Sequence, residues 1–233
     1  MNNWVAAFIT LSLCLLWLRL MDFAAHRGWI ESRLSRKIIH IGTGPLFVLC
    51  WPLFNNAPEA RWLAAAVPML ITIQFALIGF GFINDESSVR AMSRTGDRRE
   101  ILRGPLYYGI VFVALTLIFW KESPIGISAL MIMCGGDGIA DVIGRRIPSP
   151  KLPWSPNKSV AGSLSVFLGG FLLTCLILWI YVSIRLLPGP FSGYLSPLLI
   201  LTLAAAAVES LPFPDVDNLT VALVVALLGL MLF

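Results

Sequence analysis

Charge is scarce in this chain of 233 residues. Only 13% of its positions are Asp, Glu, Lys or Arg, against about a quarter in soluble domains. With 58% hydrophobic residues there is too little polar surface to coat a water-soluble globule, so lipid takes the place of water. Histidine is nearly absent: His26 and His40 are the two, which excludes a His-rich metal site. Cys14, Cys50, Cys134 and Cys175 sit inside apolar runs without C-x-x-C spacing. A disulfide framework or zinc site is therefore not expected, and they read as small buried side chains. The G-x-S-x-G, H-E-x-x-H, G-x-G-x-x-G and Walker-type phosphate-loop patterns are missing, which removes the common hydrolase, zincin, dinucleotide and P-loop classes. No basic segment precedes the first apolar run, no small-residue cleavage site follows it, and nothing reads as an Arg- and Ser-rich transit peptide. The first helix is therefore expected to be retained. The +4 net charge has no continuous basic face behind it, so nucleic acid is not an expected partner.

What the chain does have is long apolar runs. Measured against the ~20 residues that cross a bilayer, they predict spans near 4–21, 38–54, 61–83, 105–120, 124–144, 161–184, 195–211 and 219–233. Strand-like alternation of the kind a membrane barrel needs is absent. The expected fold is an all-α polytopic integral membrane protein with about 8 transmembrane helices (7–9). It is read as one domain over 1–233, with 1–35 as a peripheral anchor helix and basic loop. Of the 17 Lys and Arg residues, thirteen fall in the first, third and fifth connections (Arg27, Arg33, Arg36, Lys37; Arg90, Arg94, Arg98, Arg99, Arg103; Arg145, Arg146, Lys151, Lys158). Arg61, Lys121 and Arg185 lie in the alternate connections. That bias predicts cytoplasmic odd-numbered loops and an outside N-terminus. Ser88 to Ile101 is expected to form an amphipathic interfacial helix.

The residues that carry chemistry begin at CGGDGIADVIGRR, 134–146. Asp137 and Asp141 are four apart, which on a helix puts both carboxylates on one face. A charge inside an apolar span costs about 2.5–3.5 kcal/mol on the insertion scale, so two adjacent acids call for a compensating cation. Oxygen ligands suit Mg²⁺ shared with substrate phosphates; neutralisation by Arg145 and Arg146 is the structural alternative. Gly135, Gly136, Gly138 and Gly144 allow close approach of a ligand or of another helix. Next comes a Pro-rich loop ending in Asn157-Lys158-Ser159. Ser159 is placed to cap the following helix, and Lys158 with the free N–H groups suits phosphate oxygens. Glu209 lies within the seventh span, ahead of Asp215-Val216-Asp217-Asn218. Lys37 and His40 enter the second span, His40 with a helix-packing role as its alternative. All of these map to one membrane boundary. Carboxylates plus lysine there suit phosphoryl transfer to a lipid, with Asp137 and Asp141 on the metal, Lys158 on a phosphate oxygen and one carboxylate orienting the attacking hydroxyl.

From about Arg36 onward the chain also resembles the phytol kinase and farnesol kinase branch of the polyprenol (dolichol) kinase family. The resemblance is carried by RKIIHIGTGPLFVLCWPLF (36–54), ILRGPLYYGIVFVALTLIFWKESPIGISALMIMCGGDGIADVIGRR (101–146), NKSVAGSLSVFLGGF (157–171) and VESLPFPDVDNLTV (208–221). It implies a CTP-dependent and Mg²⁺-dependent kinase that converts an isoprenoid alcohol such as phytol, geranylgeraniol or farnesol to its monophosphate, feeding tocopherol or related synthesis. It places family function on Asp137, Asp141, Lys158 and Asp217-Asn218, with His40 a weaker transfer. Gly136, Arg145, Arg146, Asn157, Ser159 and Asn218 are, with Lys158, the nucleotide-side candidates read from the residues. Val216 separates Asp215 from Asp217 where the family often has adjacent aspartates, and Pro148-Ser149-Pro150 replaces a shorter link. Two rivals remain: a phosphatidate cytidylyltransferase, and a transporter using intramembrane acids. A bacterial inner membrane is the default location, with a plastid membrane as the alternative.

Overall fold

The structure is a computed structural model that describes residues 1–93, 95–212 and 216–233, with the side chains of Ser32, Arg33, Asp141 and Arg145 outside that description. Nine α-helices occur among the described residues: α1 (Asn3–His26), α2 (Ser32–Cys50), α3 (Ala60–Phe80), α4 (Glu86–Met92), α5 (Gly104–Ile118), α6 (Pro124–Arg146), α7 (Val160–Ser183), α8 (Ser192–Glu209) and α9 (Asp217–Leu232). A two-stranded antiparallel hairpin, β1 (Lys151–Leu152) and β2 (Ser155–Ser159), links α6 to α7. The protein is thus an all-α polytopic membrane protein, as its composition implies, and each of the eight expected spans coincides with a helix.

Among the described residues, six stretches are long and apolar enough to cross a membrane: α1, α3, α5 with the turn before it (Arg98–Ile118), Pro124–Gly144 of α6, α7 and α8. The apolar helix α9 is shorter, at 16 residues. Helix α2 carries Arg36, Lys37 and His40 in its first half. The helix ends follow local chemistry. Asn2 accepts from the Trp4 N–H to cap α1, Ser123 caps α6 with Pro124 in its first turn, and Gly81 ends α3 at φ +86°. Pro45, Pro68 and Pro197 sit inside helices, which membrane helices tolerate because neighbours re-satisfy the freed backbone groups.

The chain divides into two compact units, Met1–Leu117 and Ile118–Phe233. In the first, α1 packs on α2, α3 and α4. Ile39, Ile78, Ala91, Met92 and Ile101 form a buried cluster there. In the second, α6 is the inner helix, packed by α7, α8 and α9. Its span is 82% buried, against 39% for α7, and Asp137 within it is half-buried among its neighbours.

Two local expectations need correction. Ser88 to Ile101 is not one interfacial helix. Helix α4 ends at Met92 and a 3-10 turn, Arg98–Leu102, follows. Gly96 adopts φ +87°, where the right-handed helix cannot continue. The Gly96 N–H donates to Ser93 Oγ and the Arg99 N–H to Asp97 Oδ1, each at 2.9 Å. The Pro-rich loop after α6, for its part, is the hairpin β1–β2.

Candidate active site

Helix α6 reaches its position through close contact with α7. A Cβ on Gly135 would stand 2.8 Å from the Gly169 carbonyl, and one on Gly169 would stand 2.6 Å from the Gly135 carbonyl. Gly136 faces Val166, and Gly144 faces Gly162 and Ser159. These placements are those of membrane-helix packing through small residues. They hold the two backbones together and fix the height at which Asp137 leaves α6.

Three carboxylates from three helices then converge. Asp137 of α6, Glu209 at the last position of α8 and Asp217 at the first of α9 bring one carboxylate oxygen each to within 4.8 Å of one another. Glu209 is 8% exposed; Asp137 and Asp217 are half-buried. Lys158 on β2 enters the same group. Its Nζ lies 2.8 Å from Glu209 Oε1 and 3.5 Å from Asp217 Oδ2, and it also donates to the Glu209 backbone carbonyl.

The hairpin aims Lys158. The Val160 N–H donates to the Pro150 carbonyl at 3.0 Å and the Ala161 N–H to Ser149 Oγ at 3.1 Å. These bonds close the strand pair onto the start of α7. Ser159 caps α7, accepting from the Gly162 N–H at 3.2 Å. At the other end, Trp154 Nε1 donates to Ser210 Oγ at 3.2 Å, pinning the turn to the end of α8.

Of the residues singled out in the sequence, Asp137, Lys158, Glu209 and Asp217 meet here. Asn157 and Ser159 flank Lys158 on β2, Asn218 follows Asp217 in the first turn of α9, and Arg146 is exposed at the end of α6. Asp141 lies one turn beyond Asp137 in α6, and its side chain and that of Arg145 fall outside the described residues, as does Asp215 altogether. Lys37 and His40 belong to α2 of the first unit. There the His40 ring packs on Tyr108 at 4.5 Å, and Tyr108 Oη donates to the His40 carbonyl at 2.8 Å.

The sequence pairs Asp137 with Asp141 as the metal ligands and offers Glu209 as a further candidate at the same boundary. The signal for Glu209 was present, because a lone carboxylate at the end of an apolar run is costly unless it is used. The roles of Trp154 and Ser210 had no sequence signal.

Among the described residues the donor set is three carboxylates, and their oxygens are close enough for one small ion. That suits a hard divalent cation better than the N/S sites zinc prefers. The adjoining ammonium and capped helix start suit phosphate oxygens.

Apolar membrane-length helices that bring three carboxylates and a lysine together define a class, an integral membrane protein with a charged cluster among its helices. Comparison with known proteins narrows it. The chain is 42% identical over 217 residues to a probable phytol kinase, chloroplastic, of Triticum aestivum, covering 92% of this chain and 72% of the relative. It is 45% identical to probable phytol kinase 1, chloroplastic, of Oryza sativa subsp. japonica (92% and 69%). It is 41% identical to the farnesol kinase, chloroplastic, of Arabidopsis thaliana (89% and 68%). No protein-family profile and no solved structure matches. The chain belongs to the phytol kinase and farnesol kinase family, and it is an enzyme of the kinase class.

Proposed function

We propose that the protein phosphorylates a membrane-dissolved isoprenoid alcohol, phytol first and geranylgeraniol or farnesol as alternatives, with CTP as donor and Mg²⁺ as cofactor. The observation that supports this most is the convergence of Asp137, Glu209, Asp217 and Lys158 in a chain of this family. In this reading Asp137, Glu209 and Asp217 hold the metal, and Asp141 is its neighbouring candidate ligand. When bound, Mg²⁺ neutralises charge on the triphosphate oxygens. Lys158 pairs with a phosphate oxygen, and Ser159 presents the start of α7 to the nucleotide. Gly136, Arg145, Arg146, Asn157 and Asn218 are the remaining nucleotide-side candidates; Lys37, His40 and Asp215 are further ones. The alcohol oxygen bonds to the γ-phosphorus as the bond to CDP breaks, and one of the carboxylates takes the hydroxyl proton. The relatives' names carry a chloroplast location, so we place the enzyme in a plastid membrane in preference to a bacterial one.

The test is transfer from γ-labelled CTP to phytol in detergent, beside Asp137→Asn and with ATP as a second donor. A phytol-dependent labelled lipid is expected, reduced at least ~100-fold in the variant and weaker with ATP. Label transferred instead from α-labelled CTP to phosphatidate would favour the cytidylyltransferase rival. Absence of transfer to all three alcohols would sink the prenol reading.

A further inference from the structure

Lys158 stands where the carboxylates have to receive a cation. Its ammonium has three N–H donors, and Glu209 takes two kinds of contact from it, through Oε1 at 2.8 Å and through the backbone carbonyl. A third contact reaches Asp217 Oδ2 at 3.5 Å. Those two side chains, with Asp137, are the ones whose oxygens gather within 4.8 Å. An ion of magnesium's type binds oxygen at about 2.0–2.1 Å and demands near-octahedral geometry. It would draw on the same Glu209 and Asp217 carboxylates that the ammonium now engages. Glu209 is too buried, at 8% exposure, to turn outward and serve both cations. Repulsion between the two positive charges settles which leaves, because the divalent ion gains more from the same carboxylates. The side chain of Lys158 is long, flexible and 20% exposed, so it has somewhere to go.

We infer that Lys158 is the resident counter-ion of the metal-free site, released from Glu209 when a divalent cation enters and only then able to reach a phosphate oxygen. The inference rests on the reading of the cluster given above. It gives Lys158 two alternating partners, a carboxylate at rest and the nucleotide at work. Metal entry then becomes the event that readies the site, and before it the ammonium offsets the charge of the buried Glu209 carboxylate.

The full-length protein in detergent, without nucleotide, provides the test. Mn²⁺ serves as the probe ion, its binding read by electron paramagnetic resonance. Acylation of Lys158 by an amine-reactive reagent is followed by peptide mass spectrometry. At saturating Mn²⁺ the acylation rate is expected to rise about threefold or more, since the free ammonium is the more accessible one. An unchanged or slower rate with Mn²⁺ bound overturns the inference. Independently, Lys158→Met should bind Mn²⁺ at least about tenfold more tightly than the parent protein, because its competitor is gone. Equal or weaker binding by a folded variant also overturns it. If that variant does not fold, acylation of the parent protein decides alone. If the parent protein binds no Mn²⁺ at all, the metal assignment itself fails, which is a separate and recognisable result.

Discussion

At the scale of single residues, Asp85 shows how a polar group secures a membrane boundary. It precedes α4 and accepts from Ser87 Oγ at 2.7 Å, Ser88 Oγ at 2.7 Å and the Ser88 N–H at 3.0 Å. Arg19 lies 3.8 Å away. Partial burial pushes its carboxyl upward, but those donors and the Arg19 charge outweigh it and hold the group at about 2. An unfolded aspartate titrates near about 3.9. The stabilisation is therefore complete above that pH and is lost as pH falls toward about 2. Asp85→Ala is expected to cost about 1 kcal/mol as a lost helix cap, or roughly 2–4 °C in melting temperature. Melts of both proteins in detergent should show that gap at pH 7 and its shrinkage between pH 4 and 2. The charged residues of the candidate site were legible for the opposite reason. Asp137, Lys158 and Glu209 stand out as charges beside apolar runs, where each has to be used or compensated. Which of them meet was not legible, since an i, i+4 spacing points to Asp141 while contact with Glu209 and Asp217 depends on how α8 and α9 pack.

At the scale of elements, the spanning helices were readable because each is long and mostly apolar, so hydropathy alone finds it; the short polar α4 has no such signal. The hairpin was not readable. Strand β1 has two residues and its pairing with β2 is irregular, which leaves no period for a pattern to show. The failed interfacial helix has the same lesson in reverse: the chain leaves the helix at Ser93, which is extended at φ −93° and ψ 162°, and the left-handed Gly96 keeps it from resuming. The contact between α6 and α7 carries the sharpest prediction at this scale. In Gly169→Ala the new methyl would meet the Gly135 carbonyl at 2.6 Å, and backbone on both sides has no rotamer with which to yield. Overpacking of this kind costs about 1–3 kcal/mol. A melting temperature lower by several degrees is expected, with kinase activity falling because Asp137 moves with α6. Gly96→Ala probes a different property, since open space surrounds its Cβ. Only the positive φ resists the change there, so a stability loss of about 1 kcal/mol is expected without loss of activity. Unchanged activity and stability in Gly169→Ala would show that the two helices are less tightly joined than this.

At the scale of the whole molecule, the question is which ends of the helices share a side of the membrane. Lys and Arg gather in the connections on one side of the expected topology and are sparse on the other. Helix α3, at 21 residues, is about 31 Å long, which matches a hydrocarbon core of about 30 Å. Its two ends are therefore expected on opposite faces. Asn56 precedes it and Thr95 follows it, both exposed. The native cysteines offer little background, because three are buried and Cys175 is only half-exposed. Asn56→Cys and Thr95→Cys, treated with a membrane-impermeant maleimide in sealed vesicles, should label from opposite sides, with Thr95→Cys on the face that the basic loops occupy. In the C-terminal unit, Asn157→Cys and Ser192→Cys bracket α7, whose 24 residues also suffice to span. They too should label from opposite sides, with Asn157→Cys on the basic face. If both members of a pair react from one side, the helix between them does not cross, and the charge bias belongs to lipid contact rather than to topology. If both pairs split as expected, the loop that carries Lys158 faces the compartment from which a water-soluble nucleotide must arrive.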